Sequence, residues 1–302
     1  MSERKCWCFY HGSDLDGHCA GAVVRRWCRL NGYGFVPRPV DYGRPVDWFE
    51  GAGADNLAVI VDFTPEGDDP AGVMRRMAGG RAGGLVWIDH HETAIGRAGA
   101  AACRLAWEYF FPGEPEPRAV ELLGLYDVFD RSDIRRWENA ILPFNFGLRL
   151  FRTDPRLDEP VWREVFDETG FAYQYGEIQS LGEAHLVVLE RQNEALCETA
   201  AFDCVFQGRP ACAVNARGNS LVLDACARPE HELRILFSFT GGRWIVRLFE
   251  NGHRGVHCGK LAERFGGGGH AGAAGFELPP ERSPLEVFDR IGGLNPDTEG
   301  AA

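Results

Sequence analysis

Three segments of this chain end in side chains that bind cations and move protons. They are His11-Gly-Ser-Asp14-Leu-Asp16-Gly17-His18, then Asp62, then Asp89-His90-His91. A fourth acid, Asp127, follows in LLGLYDVFD. Imidazole mixed with carboxylate suits Mn²⁺, Fe²⁺, Co²⁺ or Zn²⁺, whereas an all-oxygen set would favour Mg²⁺. His11, Asp14, Asp16, Asp62, His90 and Asp127 are more ligands than one four-coordinate site needs. Two divalent ions about 3.5–4 Å apart, sharing one carboxylate, would use them all, acidify a water and clamp a phosphate for in-line attack. Without cations, so many like charges in one place are costly.

Each residue also has a plainer role open to it. Asp14 or Asp16 could cap a helix, the commonest use of S-D-x-D-G before one. Asp62 could shape a turn before Phe-Thr-Pro. His18 reads as an exposed helix histidine, and adjacent histidines such as His90 and His91 are more often structural than ligating. The repetition at three segment ends favours a site, because independent caps would not need histidines in two of the three.

The elements that must position these residues are legible as strand–helix alternation. CWCFYH (6–11), LAVIVDF (57–63) and GLVWIDHH (84–91) read as strands, the middle one apolar enough to be buried on both faces. Residues 17–30, 104–111 and 118–129 read as helices, and MRRMAGG (74–80) ends another. The alternation predicts a parallel α/β sheet, whose strand carboxyl ends share the edge where ligands bind. A long helix over 177–200 leads to new strand signals at ACAVNA (211–216), ELRILFSFT (232–240) and RWIVRLFE (243–250). The expected organisation is a metal-binding domain over 1–176, a linker helix over 177–200, a smaller α/β domain over 201–292 and a disordered tail over 293–302. No internal repeat is evident.

The second domain carries Gly266-Gly267-Gly268-Gly269-His270-Ala-Gly-Ala-Ala-Gly275-Phe276. Four successive glycines cost backbone entropy. They make sense where backbone N–H groups wrap an anion. The helical segment 259–265 leads into the run, and Arg247 and Arg254 lie upstream as candidate phosphate contacts, Arg247 favoured by its mid-strand position.

Composition sets the outer limits. At roughly 100–200 residues per domain, 302 residues predict about two domains. Hydrophobic residues at 45% and charged residues at 25% are ordinary for a globular chain. The formal charge of −12 argues against a broad basic face for duplex DNA. Residues from 201 onward hold 11 basic and 12 acidic side chains, so the excess acidity lies in the first 200. No signal peptide and no apolar stretch of about 18 residues is present. The ten cysteines include no C-x-x-C pair and read as reduced thiols of a cytoplasmic protein.

Taken together, Asp14-x-Asp16-Gly17, Asp62, Asp89-His90-His91 and Asp127 resemble the four motifs of the DHH phosphoesterase family. GGGGHAGAAGF resembles the signature of the DHH-associated C-terminal domain of RecJ-type exonucleases and oligoribonucleases. The motifs span residues 11 to 276 in family order. The resemblance implies two lobes around a central cleft, with two Mn²⁺ ions on the N-terminal lobe. It implies that His11, Asp14 and Asp62 hold one ion and that Asp16, Asp62, His90 and Asp127 hold the other, with Asp62 bridging. His91 would face the scissile phosphate, and Asp89 would orient the histidines. Gly267, Gly268, Gly269, His270 and Arg247 would bind a terminal phosphate or nucleotide, and the nucleophile would be a metal-bridging hydroxide. The spacing His11-x-x-Asp14 is one residue shorter than in many members, and Asp130 stands near Asp127 as a rival for the fourth motif.

The function expected on this basis is metal-dependent hydrolysis of short single-stranded oligonucleotides or dinucleotides, without a membrane, with a homodimer left open. Hydrolysis of 3′-phosphoadenosine 5′-phosphate or of cyclic dinucleotides is the alternative enzyme reading. A non-catalytic nucleotide-binding module is the alternative from another class.

Overall fold

The computed structural model describes residues 4–49, 56–67, 69–80, 83–90, 99–157, 160–166, 171–252, 255–269 and 271–292. The chain divides into two compact units, Met1–Leu186 and Val187–Ala302. The division falls within one long helix, Phe171–Ala200. The tail expected over 293–302 lies outside the described residues.

The first unit is built on β1 (Lys5–His11), α1 (Leu15–Asn31), β2 (Gly34–Val40), β3 (Leu57–Val61), α2 (Pro70–Gly79), β4 (Leu85–Ile88), α3 (Ala102–Phe110) and α4 (Arg118–Asp127). Its four strands are all parallel, in the order β2-β1-β3-β4. Strand alternation sorts the core into two layers. Cys6, Cys8 and Tyr10 of β1 join Val23 and Val24 of α1 and the inner faces of α3 and α4. Phe9 of β1 packs on the other face with Ala58, Ile60 and Met77 of α2. Burying such a Val or Phe side chain is worth roughly 1.5–3 kcal/mol.

β2 was not evident from the sequence, because GFVPRPV carries two prolines. It forms because it is the edge strand, paired only with β1, and a proline there removes no hydrogen bond the sheet interior needs. Its presence makes β1 an inner strand. The chain crosses from β1 to β2 on one side and enters β3 on the other, so the point where strand order reverses lies between β1 and β3. That is the place where open α/β sheets bind ligands.

The second unit carries a seven-stranded sheet: β5 (Ala201–Phe206), β6 (Arg209–Asn215), β7 (Leu233–Thr240), β8 (Arg243–Glu250), β9 (Gly268–Gly269), β10 (Ala273–Leu278) and β11 (Arg290–Ile291), in the order β11-β5-β6-β7-β8-β10-β9. The pairing is antiparallel except for β6 with β7. A short helix, Cys258–Glu263, packs Leu261 and Ala262 into the core formed with Phe206, Ile235, Val246 and Phe276. The protein is thus a mixed α/β chain with one parallel sheet and a second sheet. No helix among the described residues is long and apolar enough to cross a membrane. All ten cysteines are free thiols.

Candidate metal centre

Because Tyr10 of β1 pairs with Val61 of β3, the residues that follow, His11 and Asp62, stand side by side at the reversal point. Asp62 turns off its strand with a φ of 56°, in the left-handed region that aspartate tolerates better than most residues. Its amide donates to the Ile88 carbonyl at 2.9 Å, which ties this turn to the end of β4 and to Asp89-His90 beyond it.

α1 starts immediately over this edge. Asp14 is its N-cap and accepts from the Gly17 amide through Oδ1 at 2.9 Å, so the plain capping role is real. The other oxygen, Oδ2, lies 2.6 Å from His11 Nδ1. Asp14 therefore both starts the helix and faces the site. Asp16, in the first turn, is buried and accepts from the backbone amides of Ala102 and Cys103, both at 2.8 Å. These are unsatisfied donors of the first turn of α3, whose own N-cap residue, Ala101, makes no side-chain cap.

Two groups of ligating atoms result: His11, Asp14 and Asp62 form one, and Asp16, His90 and Asp127 the other. Asp62 belongs to both by distance. Its Oδ2 is 3.5 Å from His11 Nδ1 and its Oδ1 is 3.4 Å from His90 Nε2. His90 Nε2 also lies 3.6 Å from Asp16 Oδ2 and 3.2 Å from Asp127 Oδ2. Asp127, the last residue of α4, is thus the acid brought to His90, whereas Asp130 accepts from the Ser132 amide.

The electrostatics are those of crowded, buried carboxyls. Burial, and then the neighbouring Asp16 charge, push the carboxyls of Asp62 and Asp127 well above the ordinary range. Burial raises Asp16 as well. Burial disfavours the charged form of His11, but Asp14 and Asp62 outweigh it and push the imidazole up to about 10. Asp62 Oδ2 and Asp127 Oδ2 are buried without a hydrogen-bond partner, and His11 Nδ1 faces the Asp14 carboxylate at 2.6 Å. Orphaned acceptors and a ring nitrogen converging in this way fit a cationic group, and the N/O donor set fits divalent ions of the Mn²⁺–Zn²⁺ series.

Asp89 is buried, and it accepts from Thr64 Oγ1 at 2.5 Å and from the His90 amide at 2.8 Å. It holds the start of the His90 segment against the β3 turn. His91 lies outside the described residues, as do His270 and Arg254. His18 is not the exposed histidine expected from its helix position. It is half-buried, with Nδ1 2.9 Å from Thr153 Oγ1 and Nε2 3.1 Å from the Gly12 carbonyl oxygen, so it fastens the ligand loop to a distant segment. Tyr42, which sequence reasoning did not select, sets its ring edge-on to His11 at 5.7 Å.

In the second unit, Arg247, Gly266 and Gly267 line one cavity of about 570 Å³ together with Phe265 and Gly275. The glycine run is not a free anion-wrapping loop throughout. The Gly266 and Gly267 amides donate to the Glu263 and Ala262 carbonyls, ending the preceding helix, and Gly268–Gly269 pairs with β10. Glycine is required at 267 because a Cβ there would lie 2.1 Å from the Gly275 carbonyl oxygen. Arg247 is exposed on β8 and donates through Nη1 to the Gly218 carbonyl at 2.9 Å.

Neither a protein-family model nor a curated protein matches the sequence. Among solved structures, the DHH domain of a member of the s1p family of ribosomal proteins superposes with a TM-score of 0.60 at 15% identity, covering 94% of this chain and 85% of that one. The chain has the DHH-domain fold. Matches with lower TM-scores are a pGpG-specific phosphodiesterase, PggH, from Vibrio cholerae (0.49, 16% identity, 91% and 93% covered) and RecJ in complex with Mg²⁺ from Thermus thermophilus (0.41, 15% identity, 91% and 47% covered). Within this DHH fold, the carboxyl-end edge of the parallel sheet is where the two ligand groups sit.

Proposed function

We propose that this chain is a DHH-family phosphoesterase that hydrolyses short single-stranded oligonucleotides or dinucleotides with the help of two divalent ions. The observation that carries the reading is the division of the Asp62 carboxylate, Oδ2 toward His11 and Oδ1 toward His90, between the two ligand groups. His11, Asp14 and Asp62 would hold one ion, and Asp16, Asp62, His90 and Asp127 the other. When bound, such a pair supplies an acidified water and charge neutralisation at a phosphoryl group.

The chain's own residues do the rest. The Ala102 and Cys103 amides fix the Asp16 carboxylate, and Asp89 fixes the His90 backbone, so the ligands are held before a substrate arrives. Arg247 and the Gly267–Gly269 segment supply a cation and close backbone approach for a nucleotide or terminal phosphate. His91 and His270 are assigned, by their place in the motifs, to the scissile phosphate and to the terminal nucleotide. Mn²⁺ is the ion we favour from the mixed imidazole–carboxylate set. Ten free thiols support a reducing, cytoplasmic setting. We assign 1–176 to the metal-binding domain, 177–200 to a linking helix and 201–292 to the substrate-binding domain.

A turnover panel tests the reading: di- to pentanucleotides, 3′-phosphoadenosine 5′-phosphate, cyclic dinucleotides and pyrophosphate, each with Mn²⁺ and other divalent ions. Release of mononucleotides from the short oligonucleotides, abolished by Asp62→Ala, is the expected result. No turnover of any oligonucleotide with any metal overturns it, and nucleotide binding without turnover favours a binding module instead.

A further inference from the structure

Two residues beyond Asp127 the backbone adopts a costly conformation. Phe129 has a φ of 55°, in the left-handed region. It lies just past the end of α4: its amide donates to the Tyr126 carbonyl at 3.1 Å, and the Asp130 amide reaches back to the Leu125 carbonyl at 2.9 Å. This pair of hydrogen bonds is a common way to end a helix, but the left-handed position in it usually goes to glycine. For a bulky residue the conformation is a genuine outlier. Burial does not offset the cost, because Phe129 is 44% exposed.

A second uncommon backbone feature supports the same ring. Residues Trp137–Ile141 form a single turn of π-helix, a form that is rare and concentrated at functional sites. The turn carries the buried Trp137, whose indole stacks on Tyr126 at 5.6 Å and meets the Phe129 ring at a steep angle at 5.0 Å. The Arg131 guanidinium lies 4.3 Å from the centre of the Phe129 ring and 5.1 Å from that of Trp137. A cation so near the ring centre stands over a face and not at the rim. The two supports are too close together to lie across the ring from each other. Among the described residues, no further ring or cation meets Phe129, so its other face is the exposed one.

The position of this ring gives it a use. Asp127 presents Oδ2 to His90 Nε2 at 3.2 Å, and two residues of chain span at most about 7 Å. Phe129 is therefore within a nucleotide's reach of the second ligand group, since a phosphate held there carries its base one sugar away. A fixed ring with an open face is a platform on which any base can stack. Strain held at a site by its surroundings is commonly tied to function.

We propose that Phe129 is a base-stacking residue, taking the base of the nucleotide whose phosphate meets the Asp16, His90 and Asp127 group. The proposal rests on the phosphoesterase reading and deepens it: the substrate is recognised as a nucleotide and not as a bare phosphoester. Trp137 and Arg131 hold the ring from behind.

Initial rates on the dinucleotide pApA and on the same backbone lacking both bases test the role. Phe129→Ala is expected to lower kcat/KM for pApA about 5- to 150-fold, mainly through KM, and to leave the baseless compound unchanged. Phe129→Trp is expected to restore pApA turnover, whereas Phe129→Leu, apolar but without a ring, is not. Equal loss on both substrates, or full activity of Phe129→Leu, overturns the proposal. Phe129→Gly separates stacking from stability. Glycine relieves the left-handed φ, so the melting temperature is expected to hold while pApA turnover falls by the same factor. Full pApA activity of the glycine variant overturns the role.

A binding measurement distinguishes failure of this inference from failure of the phosphoesterase reading. Phe129→Trp adds one indole to the eight tryptophans of the chain, and wild type serves as the background. Titration with a phosphonate-linked, non-hydrolysable dinucleotide in Mn²⁺ is expected to quench the added emission saturably. Quenching without turnover of any substrate upholds the stacking site and removes the phosphoesterase reading. Turnover of pApA without quenching, and with Phe129→Ala as active as wild type, upholds that reading and overturns the stacking site.

Discussion

Gly17 approaches His11 so closely that a Cβ added to it would lie 2.1 Å from the His11 carbonyl oxygen. The glycine that follows Asp14-x-Asp16 is therefore a requirement of the β1–α1 turn, because α1 must start directly over the strand that ends in His11. Gly17→Ala is expected to displace that turn, destabilise the protein by about 1–3 kcal/mol and reduce turnover on the order of 10²-fold. Urea unfolding and initial rates measure the two effects, and a variant with wild-type values in both contradicts the fit.

Divalent ions are expected to raise the melting temperature, since the buried, unpartnered oxygens of Asp62 and Asp127 gain a partner. At a hundredfold excess over the dissociation constant, the rise is roughly 5–10 °C. Differential scanning calorimetry with Mn²⁺ against EDTA measures it. In Asp62→Asn the metal-induced rise should largely vanish, while the metal-free protein becomes no less stable, because a buried charge beside Asp16 is removed.

Asp16→Asn should behave in the opposite sense. Asp16 accepts from both the Ala102 and Cys103 amides, and an asparagine turns its NH₂ against one of them. One buried donor left unpaired costs about 1–3 kcal/mol. Metal-free thermal unfolding of the Asp16 and Asp62 variants side by side checks the contrast, and equal shifts would contradict it.

Tyr10 donates its hydroxyl to Asp154 Oδ1 at 2.6 Å, across 144 residues of sequence. Burial raises the Asp154 carboxyl, but Arg156 and Tyr10 outweigh it and hold the group below the ordinary carboxylate range. A depressed carboxyl contributes stability that is present above its unfolded value, about 3.9, and lost as pH falls through its folded value. Tyr10→Phe is therefore expected to lose about 1 kcal/mol at pH 7 and less of it below pH 4. A stability difference constant from pH 7 to pH 3 would rule this out.

Much of the first sheet is legible in the sequence because its strands are short apolar runs and its helices have the matching period. Cys6, Cys8 and Tyr10 alternate with Trp7 and Phe9, and the two sets occupy the two layers expected of an inner strand. β2 escaped because Pro37 and Pro39 read as loop, and only its edge position makes them compatible with a strand. His18 was misplaced because helical spacing says nothing of Thr153, the partner that half-buries it. The glycine run reads as an anion-wrapping loop, but its first amides serve a helix end and a strand pair, which residue type alone does not reveal.

By itself, the sequence determined which acidic and imidazole side chains stand at strand ends and in what order, since residue chemistry and hydrophobic period are local properties. Only the tertiary structure decided that Asp62 divides its oxygens between His11 and His90. It alone decided that Asp16 caps a helix 86 residues away and that Trp137 stands behind Phe129. Those relationships depend on strand order and on which helices cross, and these are set by the packing of the whole core, which no short stretch of chain encodes.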